Sequence, residues 1–199
     1  MKNVSRYRLE FAAGRKPVDL LVEVTEHRYQ SPLTVSGRVM VEVHYWDPNE
    51  HPHERVFRYK EEFGIVHDKL VLRIIDFILP PALGQCGIGT FIWSAIYRNL
   101  DSATASRLRL QGGLSSKDAT VTQVDGVGRI ARTYQDGISS RRTMPNTERR
   151  NRFWRRMLSQ NERVFVCRED GGGHFDGWFV DPARDPSYGP GFVVRGGAC

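Results

Sequence analysis

The chain has few cysteines, no long apolar run and no low-complexity tract, and each lack removes a class of protein. Cys86, Cys167 and Cys199 are its three cysteines in 199 residues. They are odd in number and widely spaced, so they outline neither a disulfide framework nor the paired spacing of a zinc site. No stretch approaches the roughly 20 apolar residues that a membrane-spanning helix needs. The first residues, MKNVSRYRLEFAAGRK, carry scattered charges and no signal-peptide core. An intracellular, cytoplasmic protein with no membrane segment is the expectation. His51 and His53 lie beside Glu54, but two histidines fall short of a ligand set, and a solvated loop suits them better than a metal site. Before about residue 87 there is also no helical period.

What is present suits one domain with a real core: 40% hydrophobic and 26% charged residues. The net charge of +6 permits a polyanionic partner or an anionic cofactor, and serves plain solubility equally well. The chain divides into a strand-rich part (1–68), a central unit (69–110), a Gly-, Ser-, Thr- and Arg-rich insertion or lid (111–145), and a basic helix with terminal strands (146–199).

In the first part, residues 7–12, 20–24, 35–46 and 56–59 read as strands of an antiparallel meander. The alternation of Val35, Val39, Val41, Val43 and Tyr45 with polar neighbours is the clearest case. Lys60 to Gly64 reads as a polar turn. An apolar strand is then expected over 70–79, followed by Pro80-Pro81 and a loop holding Gly84, Gly87 and Gly89. Ile88, Phe91, Ile92, Ala95, Ile96 and Leu100 follow at helical spacing. In a strand–glycine loop–helix unit the backbone comes close to a ligand. The unpaired N–H groups and the dipole at the helix start favour a phosphate. An ordinary strand-to-helix turn has the same outline. Beyond it, 101–104 reads as a loop, 107–110 as a strand, 146–160 as a helix, and 164–167 with 178–180 as a hairpin. Residues 192–194 are a possible last strand.

The register Gly84-x-x-Gly87-x-Gly89 after a strand ending in Leu79-Pro80 resembles the acyl-CoA signature of the GNAT N-acetyltransferase superfamily. Asn146, Arg149 or Arg150, and Phe153-Trp154 resemble its late helix motif. Gly84 stands where the family has Arg or Gln, and Phe153 or Trp154 where it often has a tyrosine acid. The helices that follow the family's first strand are not evident. The resemblance implies an α/β (α+β) fold: a GNAT-like central mixed, mostly antiparallel sheet with a bulged strand, glycine loop and helix, a late second helix and a C-terminal β-hairpin. It implies acetyl-CoA as acyl donor and a primary amine as acceptor.

On that resemblance the backbone of Gln85, Cys86, Gly87, Ile88, Gly89 and Thr90 would hold the pyrophosphate. Phe77, Ile78 and Leu79 would pair with the pantetheine arm as a strand does, and Asn146 and Arg150 would sit against the cofactor. Asp76, with Glu61 and Glu62 just before its strand, supplies candidate bases, and a carboxylate in an apolar strand is unusual. Tyr97 and Tyr134 are the candidate acids. Cys86 reads as a small filler residue. The arginines from Arg149 to Arg156 suit a CoA phosphate, RNA or a solvated helix face. Two alternatives stay open: a non-catalytic GNAT-like or mainly-β binding protein, and a nucleic-acid binder acting through that helix.

Overall fold

A computed structural model describes residues 1–12, 16–29, 35–47, 54–75, 77–84, 86–114, 123–124, 130–131, 146–168 and 172–198. The strands are β1 (Lys2–Phe11), β2 (Val18–Arg28), β3 (Val35–Trp46), β4 (Glu54–Val66), β5 (Lys69–Ile74), β6 (Leu108–Leu114), β7 (Gln123–Val124), β8 (Ile130–Ala131), β9 (Val164–Cys167), β10 (Gly173–Trp178) and β11 (Phe192–Ala198). The helices are α1 (Ile88–Asn99), α2 (Ser102–Ala105) and α3 (Asn146–Arg156). The fold is mixed α+β. Nine strands form one sheet in the order β11-β1-β2-β3-β4-β5-β6-β10-β9, while β7 and β8 pair separately. Every neighbouring pair in the large sheet is antiparallel except β5 and β6, which run parallel. Parallel neighbours need a crossover, and the segment containing α1 provides it. The sheet takes strands from 1–68, 69–110 and 146–199 alike.

Period-2 patterning decides which face is covered. Val18, Leu20, Val22 and Val24 of β2, and Val39, Val41, Val43 and Tyr45 of β3, are buried on one face. There α1 and α3 close the core. Trp93 of α1 meets Tyr59, Phe77, Trp154 and Phe179 at ring-centroid distances of 5.4–5.9 Å. Trp154 of α3 stacks on Phe175 of β10 at 4.8 Å. The other face is polar and crossed by ion pairs such as Lys2–Glu23 at 2.8 Å and Arg109–Asp176 at 2.9 Å.

Several expected boundaries move. The segment 60–64 is not a turn: β4 runs on to Val66, and the chain reverses at His67 and Asp68, both at positive φ. Phe57, Tyr59, Glu61 and Phe63 face the core side while Arg58, Lys60 and Glu62 face water, so a strand with one wet face had the composition of a turn. The strand expected over 70–79 ends at Ile74. It pairs with β4 only as far as Phe63↔Leu72. Beyond that the amide of Ile75 donates to Glu61 Oε1 at 3.2 Å, a side-chain acceptor where a ladder carbonyl would otherwise stand. The loop expected at 101–104 holds α2, and α3 stops at Arg156. The second hairpin strand is Gly173–Trp178, not 178–180. Among the described residues no helix is long and apolar enough to cross a membrane.

Candidate functional site

The strand–loop–helix unit places its parts around the start of α1. Gly87 is the N-cap at φ 81, a left-handed conformation that a side chain makes costly. No side chain caps the helix and its first turn holds no acidic residue. Ile88, Gly89 and Thr90 are buried there. The first N–H groups of α1 therefore form a partial positive charge with no acidic residue in the helix's own first turn to offset it.

The two glycines also meet protein groups. A Cβ at Gly87 would lie 3.2 Å from the Tyr188 ring and 3.5 Å from Pro190 Cα; one at Gly89 would lie 3.0 Å from Leu79 Cδ1 and 3.1 Å from the Phe153 ring. The Tyr188 hydroxyl donates to Gly87 O at 3.4 Å, and Gly191 N donates to Cys86 O at 3.4 Å. The tail thus rests on the glycine loop. Asp185 fixes that tail to α3 by accepting from Arg156 Nε at 3.0 Å. Hydrogen bonds from Ser187 first, then the Arg156 charge, hold the Asp185 carboxyl below its usual range.

Burial pushes the Tyr188 phenol up to about 12, against the pull of Arg98 and Arg156. The folded pKa exceeds the unfolded one, so this contribution to docking is intact below pH 10 and is lost as pH rises through about 12. Ultraviolet titration of the seven tyrosines is expected to show a late step that Tyr188→Phe removes. Tyr45, also raised by burial, keeps its own shift in that variant. An unchanged titration curve would show that the tail does not hold the phenol.

The expected site residues separate. Asp76, Gln85, Tyr134, His51 and His53 lie outside the described residues. Phe77 turns its ring into the aromatic core, stacked on Phe153 at 6.0 Å. Ile78 is exposed and Leu79 packs on Gly89. Their backbone belongs to no strand, whereas β6 continues past its last β5 partner, Gly112, to Leu114. Cys86 is half-buried against the core. Glu62 is exposed on the face away from α1, while Glu61 points to the covered face. Tyr97 lies about 15 Å along α1 from Gly87 at the helical rise, its ring edge-on to Phe179. Asn146 begins α3, and Arg150 donates to the Asn151 side chain at 3.2–3.3 Å. Arg155 lies over the Phe165 ring, Arg156 is held by Asp185 and Ser187, and Arg152 stands 4.0 Å from Glu148. Among the described residues no three His, Cys, Asp or Glu side chains gather as a metal cage.

Two features escaped the sequence. Tyr188 and Pro190 lie about a hundred positions from Gly87, with no local pattern to link them. Glu61 outranks Glu62 as a core-side carboxylate, which period 2 would have shown had β4 been read as continuous. No protein-family model, curated protein or solved structure matches the chain.

Proposed function

We propose that the protein is an acyl-CoA-dependent N-acyltransferase of GNAT-like type, transferring acetyl to a primary amine by direct attack. The observation that carries the reading is the β5–α1–β6 unit. One parallel pair sits in an otherwise antiparallel sheet, is bridged by a helix with an uncapped glycine N-terminus, and has a first strand that stops before its neighbour does. The late helix α3 and the β9–β10 hairpin support it further.

The donor set fits a pyrophosphate. Backbone N–H groups of Gly87 to Thr90 would bind the phosphate oxygens, with the α1 dipole adding to the attraction. The backbone of Phe77 to Leu79, which belongs to no strand, would align the pantetheine arm. The thioester, when bound, is an already activated acyl group. Glu61 would take the proton as the amine nitrogen bonds to the carbonyl carbon and the C–S bond breaks. The thiolate takes its proton from water, because Phe153 carries no hydroxyl. That last point, and the side chains already packed on Gly87 and Gly89, favour the second reading: a non-catalytic binding protein on the same scaffold.

Thermal unfolding with acetyl-CoA separates this proposal from a purely structural turn. At about a hundredfold excess over Kd, ligand linkage adds about 2.7 kcal/mol, so a clear rise in Tm is expected. Adenosine, which lacks the pyrophosphate, should give a far smaller shift. No rise with acetyl-CoA would remove the proposal.

A further inference from the structure

On the sheet face opposite α1 and α3, the strands β5, β6 and β10 form a concave region of about 470 Å³, within the usual range of small-molecule sites. Its origin lies in the register. Arg73, Gln111 and Asp176 form one cross-strand row, and Gly113 and His174 belong to the next. Gly113 supplies a floor with no side chain: a Cβ there would meet nothing within 4 Å. Ile75, 84% exposed, adds an apolar wall at the end of β5.

The charges are unevenly satisfied. Asp176 accepts from Arg109 Nε at 2.9 Å and from Gln111 Nε2 at 3.3 Å, so both its oxygens are engaged. Arg73 is exposed, and among the described residues no carboxylate pairs with it. Another cleft, where Arg8, Asp19 and Arg195 lie together, differs: Arg8 pairs with Asp19 and Arg195 with Glu10. An exposed guanidinium with no carboxylate partner among the described residues, an imidazole across β6 from it, a glycine floor and an apolar wall form a receptor for one anionic group on an apolar body.

We propose that this cleft binds small carboxylates, the carboxylate on Arg73 and His174 and the apolar part over Gly113 against Ile75. The site stands apart from the acyl-CoA reading, and neither depends on the other.

Benzoate titration followed by backbone amide shifts tests it, with benzyl alcohol as the uncharged counterpart. Benzoate should move the amides of Arg73, Gly113 and His174 saturably, with a Kd on the order of millimolar. Benzyl alcohol and Arg73→Met should each weaken binding about tenfold or more. Gly113→Leu should abolish it by filling the floor, while retaining a dispersed spectrum because the added atoms enter open space. The inference is overturned by non-saturable benzoate shifts, by benzyl alcohol binding as tightly, or by full affinity in Arg73→Met.

Discussion

Replacing Glu61 with glutamine is expected to lower acetyl transfer by about 10²- to 10⁴-fold, the usual worth of a positioned base, without changing acetyl-CoA affinity. The substitution is chosen because it separates two roles. Glu61 Oε1 accepts the Ile75 amide at 3.2 Å, and the glutamine carbonyl can accept the same bond. What glutamine lacks is the capacity to take a proton. The fold at the end of β5 should therefore persist while turnover falls. Release of free CoA, followed with a thiol reagent in the presence of an amine that supports it, measures the effect on kcat; titration measures affinity. Unchanged kcat would reduce Glu61 to a plug for an open strand end. Alanine is a poorer probe, because it also leaves the Ile75 amide without its acceptor.

Trp93→Ala is expected to cost about 3–5 kcal/mol, the range for truncating a large aromatic in a core. Trp93 has no exposed surface and touches four other rings. Those rings come from β4 (Tyr59), the segment after β5 (Phe77), α3 (Trp154) and the stretch after β10 (Phe179). The cavity would open where both helices meet the sheet, and the surrounding rings cannot easily collapse into it. For a chain of this size each kcal/mol corresponds to about 2–4 °C in Tm, so a fall of roughly 6–20 °C should follow. The indole also carries a cost of its own: Nε1 is buried without an acceptor among the described residues. Trp93→Phe removes that donor, which offsets part of the lost volume, so it should be milder than alanine. Urea unfolding with an unchanged m value checks both. A loss below about 1 kcal/mol for alanine, well under the range for a buried aromatic, would contradict the packing described.

The parts of the fold that were legible are those written in local period. β3 is expected over 35–46 and is observed at Val35–Trp46, since Val39, Val41, Val43 and Tyr45 recur at every second position on one face. α1 was expected from Ile88, and Gly87 does stand as its N-cap. The continuity of β4 is hidden because Lys60, Glu61 and Glu62 have the composition of a turn, while only their alternation marks a strand. β5 was overextended because the apolar run continues to Leu79 for another reason: Phe77 and Leu79 feed the aromatic core after the chain has left the sheet.

The candidate site was legible only as a loop. Its sealing by Tyr188, and the fixing of Asp181 between Ser94 Oγ at 2.6 Å and Arg98 Nε at 3.3 Å, depend on residues more than eighty positions apart. Glu26 is a similar case. A buried carboxylate accepts from Asp101 N at 2.8 Å and Thr104 Oγ1 at 2.9 Å, and in the sequence it is one charge near a strand end. In the sequence the arginine helix suits a CoA phosphate, RNA or a solvated face alike; in the structure Arg155 lies over Phe165 and Arg156 donates to Asp185.

Calorimetric titration of acetyl-CoA into the folded protein, with amide shifts recorded along the same titration, tests the acyl-CoA reading most directly. Binding with a Kd on the order of micromolar, with the largest shifts at Gly87 to Phe91 and at Phe77 to Leu79, is the expected result. Absence of heat and of shifts at those amides, in protein whose spectrum shows it folded, would contradict it and leave Cys86 to Thr90 as a turn packed for its own sake under Tyr188.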